Sequence, residues 1–141
     1  MTAMADRALN ILLVEDDEVD VMNVRRAFER NHMTSSLFVA GNGLEALEML
    51  HSNIIPKERR LILLDLNMPK MNGIEFLEAL RADGEFSSIP VVVLTTSNDD
   101  QDKLDAYSFN VAGYLLKPVT FNSFCERMAT LDKYWSLAEM P

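Results

Sequence analysis

Five short apolar runs recur along the chain with helix-sized spacings between them, and no other feature restricts its fold more. They are Ile11–Val14, Leu37–Ala40, Leu61–Leu64, Val91–Leu94 and Tyr114–Leu116. Each is near-continuous rather than alternating, the pattern of a strand buried on both faces. Apolar stripes at helical spacing fill the gaps. Val21, Val24 and Phe28 share one face; so do Leu44, Leu47 and Leu50, then Ile74, Leu77 and Leu80, then Leu104, Tyr107 and Val111. The last stripe, Phe121, Phe124, Met128, Leu131 and Trp135, steps by threes and fours, with Thr120 placed to cap its helix. Five strand–helix alternations predict an α/β domain, a parallel sheet covered on both sides.

Charge and length exclude several functions. The 141 residues carry 13 basic and 22 acidic side chains, a net of −9, the wrong sign for nonspecific binding to DNA or anionic membranes. The first ten residues lack the apolar core of a secretory signal, and stretches such as Ile89–Leu94 are too short to cross a bilayer. The single cysteine, Cys125, forms no internal disulfide and fits a reducing compartment. No internal repeat or linker is visible. A cytoplasmic protein is expected.

In a sheet of this kind ligands bind beyond the carboxyl ends of the strands. Glu15-Asp16-Asp17 follows the first strand, Asp65 the third, Thr95-Thr96-Ser97 the fourth and Lys117-Pro118 the fifth. Clustered carboxylates repel one another, and a divalent hard cation relieves that repulsion. Mg²⁺ takes one or two carboxylates, keeps waters and is completed by phosphate oxygens. Lys117 then suits a phosphoryl group as a point charge, Thr95 offers a hydroxyl, and Asp65 is placed as a nucleophile that forms an acyl-phosphate.

The ordered set of Glu15 and Asp16, Asp65, Thr95 and "YLLKP" resembles the receiver domain of two-component response regulators. The resemblance spans residues 9 to 133, leaving 1–8 as an N-terminal tail and 134–141 as a C-terminal helix extension and tail. It implies a doubly wound, flavodoxin-like (βα)5 fold with strand order 2-1-3-4-5. It implies that Asp65 is the phospho-acceptor and that Asp16 ligates Mg²⁺ directly, with Glu15 acting through water. The backbone carbonyl of Asn67 completes the protein ligands. Thr95 becomes the switch hydroxyl, Tyr114 the switch aromatic that turns inward with it, and Lys117 the phosphate-pairing lysine, joined to Pro118 by a cis bond. Val119 stands where many relatives carry an aromatic.

The long last helix, with Tyr134-Trp135, is similar to single-domain regulators paired with phytochrome-type kinases. That likeness implies a sensor histidine kinase as partner and a homodimer through the fourth helix, fifth strand and fifth helix, including the C-terminal extension.

Plainer roles compete. Asp65 alone could be a turn residue, and Tyr114 a half-buried strand aromatic in the resting state. Asp17 is expected to point away from the site or to cap the first helix; Thr96, Ser97 or Asn98 is expected to cap the fourth. His32 and His51 are read as surface residues, and Trp135 as core or interface alike. Two other functions compete with a phosphorylation switch. A phosphorylation-independent interaction module on the same fold would not need Asp16, Asp65, Thr95 and Lys117 together. An aspartyl-nucleophile phosphatase would need a second acid two residues past Asp65, where Asn67 stands.

Overall fold

The computed structural model describes residues 8–141. Most of the expected N-terminal tail, residues 1–7, lies outside the described residues. The elements in chain order are β1 (Asn10–Val14), α1 (Glu18–Arg30), β2 (Ser36–Ala40), α2 (Gly43–His51), β3 (Arg60–Leu64), α3 (Gly73–Ala82), β4 (Val91–Thr95), α4 (Asp100–Ser108), β5 (Gly113–Leu116) and α5 (Phe121–Leu137). The strands pair in parallel in the order β2-β1-β3-β4-β5.

Alternate residues of each strand feed two cores. Leu12, Val14, Ile62, Leu64, Val91 and Val93 pack with Ala46, Leu50, Phe76, Leu77, Leu80 and Ala106 under α2, α3 and α4. Ile11, Leu13, Leu61, Leu63, Val92 and Leu94 pack with Val24, Phe28, Phe124, Met128, Leu131 and Trp135 under α1 and α5. Burying both sheet faces explains why the strands read as continuous apolar runs. Trp135 is therefore core, 8% exposed, while its neighbour Tyr134 is 61% exposed.

Capping follows the side chains available at each start. Asp17 caps α1 through the backbone amides of Val19 and Asp20, and the Thr120 oxygen accepts from the Ser123 amide at α5. The α4 cap differs from the expected Thr96, Ser97 or Asn98. It is Asp99, whose carboxylate accepts from the Asp102 amide at 3.0 Å. Ser97 is instead drawn to the Asp102 carboxylate, 2.6 Å away.

Two expected stripes face the core only in part. Leu50 is buried and Leu47 packs against the core as expected, but Leu44 is 49% exposed, and α2 also buries Gly43 and Ala46. Leu104 and Tyr107 of α4 are 66% and 52% exposed, while Val111 is buried in the core from beyond the helix end. The expected cis bond before Pro118 is also corrected, since the described peptide bonds contain no cis linkage. Trans is the lower-energy form of an X–Pro bond by about 0.5–1 kcal/mol.

Candidate functional site at the carboxyl edge of the sheet

The sheet's own hydrogen-bond ladder places the site residues. Each first residue past a strand stays tied to its neighbour. The Glu15 amide donates to the Ala40 carbonyl at 3.0 Å, the Asp65 amide to Val14 at 3.0 Å, and the Lys117 amide to Thr95 at 2.9 Å. Three separate segments thus end at one edge with fixed backbones.

Their side chains converge. Glu15, Asp16 and Asp65 each present a carboxylate oxygen within 4.8 Å of the others. Glu15 and Asp65 are buried, at 3% and 6% exposure, while Asp16 is exposed. The Lys117 ammonium donates to Glu15 Oε1 at 2.7 Å and to Asp20 Oδ2 at 2.8 Å, and lies 4.0 Å from Asp65 Oδ1. Acids outnumber the one ammonium here, and both partners of its shortest pair are shifted upward, each for its own reason. Burial pushes the Glu15 carboxyl up to about 7, and the bond from Lys117 only partly offsets it. Burial draws Lys117 down, but its bonds to Asp20 and Glu15 outweigh that and hold its pKa above the usual lysine value. Such a donor set of hard oxygens with excess negative charge fits a divalent cation.

The loop after Asp65 is held tightly. Gly73 opens α3 where a Cβ would sit 2.6 Å from Leu66 Cα and 2.7 Å from the Asp65 carbonyl oxygen, so only glycine fits. Lys70 and Met71 take positive φ values of 48° and 67°, uncommon for residues with side chains. Asn67 lies exposed in this loop, two residues past Asp65.

On the other wall, Thr95 is fully buried and its Oγ1 accepts from the Ser97 amide at 3.3 Å. Tyr114 is half-buried, as read for the resting state, and its hydroxyl donates to the Ser97 carbonyl at 2.9 Å. Burial raises the Tyr114 pKa, so this donor keeps its proton. Thr95 and Tyr114 thus meet at one residue, Ser97.

His51 sits at the far end of α2, its Nε2 3.4 Å from Asp83 Oδ2, and has no place in the site. The sequence reading missed Asp20. An acid in the first turn of a helix is what the helix dipole favours in any case, so its signal was hidden.

Comparison with known proteins gives one family. A model of the response regulator receiver domain matches residues 11–129. A probable methanogenesis regulatory protein, FilR2 of Methanothrix harundinacea, is 39% identical over 127 residues, covering 89% of this chain and 82% of that protein. The response regulator Rcp1 of Synechocystis is 33% identical over 129 residues, covering 89% and 87%. Among solved structures, a phosphorylated cyanobacterial phytochrome response regulator, RcpA, superposes with a TM-score of 0.84 at 30% identity, over 95% of this chain and 99% of that one. A Mn²⁺-bound form of Rcp1 gives 0.81 at 31% identity, over 94% and 99%.

Proposed function

The chain belongs to the response regulator receiver family of two-component signalling, and from that premise we propose that it is a phosphorylation switch whose acceptor is Asp65. The observation that carries the reading is the joining of Glu15, Asp16, Asp65 and Lys117 at one sheet edge. A phosphohistidine on a sensor histidine kinase supplies the phosphoryl group. An Asp65 oxygen forms the new P–O bond as the P–N bond to histidine breaks, leaving the histidine free and an acyl-phosphate on Asp65.

Asp16 and Asp65, the Asn67 carbonyl, and Glu15 through water would hold Mg²⁺, which when bound neutralises charge on the transferred oxygens. The Mn²⁺-bound Rcp1 relative supports a divalent ion at this edge. Lys117 offers its ammonium to the phosphoryl oxygens, and Thr95 its hydroxyl. Because Thr95 and Tyr114 share Ser97, drawing Thr95 toward the phosphoryl group disturbs the hold on Tyr114 and α4.

Two finer points belong to the same reading. The likeness to phytochrome response regulators supports a phytochrome-type kinase as partner. An open groove of about 640 Å³ runs between the free edge of β5 and α5, lined in part by Leu115, Arg127 and Tyr134. With the exposed Leu104 and Tyr107 of α4 it offers a homodimer surface on the α4–β5–α5 face. Among the described residues no helix is long and apolar enough to cross a membrane.

The test is intact-protein mass after incubation with Mg²⁺ and a small acyl-phosphate donor. A phosphoryl adduct on the wild type that is absent in Asp65→Asn and in chelator is expected. Label retained by Asp65→Asn would overturn the assignment.

A further inference from the structure

Lys117 is gripped by a carboxylate, Asp20, that has no part in the proposed phosphoryl transfer. Asp20 stands in the first turn of α1, and its Oδ2 accepts from Lys117 Nζ at 2.8 Å. Glu15 accepts from the same nitrogen at 2.7 Å, while Asp65 Oδ1 is 4.0 Å away, beyond hydrogen-bond reach. Asp20 is not free to drift. Its helix is capped by Asp17 and anchored by buried Val24, Ala27 and Phe28. Lys117, Glu15 and Asp20 line a cavity of about 200 Å³ beside α1, and Asp65 does not. The ammonium is therefore drawn toward α1 and away from the acceptor.

An ammonium has three protons to donate, and Glu15 and Asp20 take two of them. A phosphoryl group arriving at Asp65 needs the same charge as its own negative charge shifts during transfer. We propose that Asp20 is a positioning residue that holds Lys117 back from Asp65 and thereby slows phosphoryl transfer to it. This inference rests on Asp65 as the phospho-acceptor.

The experiment follows the rate of adduct formation by intact mass, with a small acyl-phosphate donor at saturating Mg²⁺. Asp20→Asn and Asp20→Ser are each expected to react about two- to fivefold faster than wild type, the scale of one partly exposed ion pair. Asp20→Glu restores the grip and the wild-type rate. In a Lys117→Ala background, Asp20→Asn brings no gain, because the charge it releases is gone. A rate at or below wild type in both the Asn and Ser variants overturns the inference. So does a gain that survives Lys117→Ala, which would trace to general repulsion of the anionic donor. A wild type that takes no more label than Asp65→Asn overturns the phospho-acceptor reading along with it.

Discussion

Helices α3 and α4 each follow a strand that ends in the site, yet they are held in opposite ways. The α3 helix starts with a reciprocal capping box between Asn72 and Glu75 and buries Phe76, Leu77 and Leu80 completely. Its first residue, Gly73, is pressed against Leu66 and the Asp65 carbonyl. The α4 helix buries only Ala106 and leaves Leu104 and Tyr107 in solvent. Its start is tied by polar contacts, Ser97 to Asp102 at 2.6 Å and Tyr114 to Ser97 at 2.9 Å. Segments with few buried apolar contacts open at the least free energy. One wall thus fixes Asp65, and the other is the wall that, on the proposed function, responds to a phosphoryl group there.

Removing the anchor of the fixed wall has the largest expected effect. Phe76→Ala should cost about 3–5 kcal/mol, read as a lower urea midpoint, because the ring is fully buried. A loss under about 1 kcal/mol would mean that α3 is no better held than α4.

Next comes the buried glutamate. The folded protein holds the Glu15 proton up to about 7, whereas the unfolded chain releases it near 4.5. Between those values the native state binds more protons than the unfolded one, so stability falls as pH rises. The contribution is fully present below 4.5 and lost above about 7, worth at most about 3 kcal/mol in metal-free buffer. Glu15→Gln should flatten that slope; an unchanged slope would place its origin elsewhere.

On the responsive wall, Thr95→Ala removes the acceptor of the Ser97 amide and should cost about 1 kcal/mol in stability. Asp65 should still take a phosphoryl group, but the environment of α4 should no longer change with it. A change that persists in this variant would remove Thr95 from the switch. The smallest effect belongs to the exposed side chains. Leu104→Ala and Tyr107→Ala should each shift stability by less than about 0.5 kcal/mol. Sedimentation should nonetheless show weaker self-association if that face joins two copies.

The same contrast explains what the sequence made legible. The strand runs were found to within a residue at either end because burial on both faces leaves no alternation to misread. The stripes of α1, α3 and α5 pointed largely to the core, and the approach of Asp16, Asp65 and Lys117 followed from the topology. Leu104 and Tyr107 misled because apolar spacing marks a face without saying whether the core or solvent covers it. The α4 cap was missed because four adjacent cap-forming residues, Thr96 to Asp99, offered no local means of choosing among them. Asp20 needed a contact across 97 residues of sequence to show its role.

Amide hydrogen exchange on the protein with and without a phosphoryl group on Asp65 tests the central claim most directly. Exchange in the segment from Thr95 through Tyr114 should change on phosphorylation, while the Phe76–Leu80 amides of α3 stay as protected as before. Equal changes in both helices, or a change confined to α3, would contradict the division between a wall that fixes the acceptor and a wall that responds.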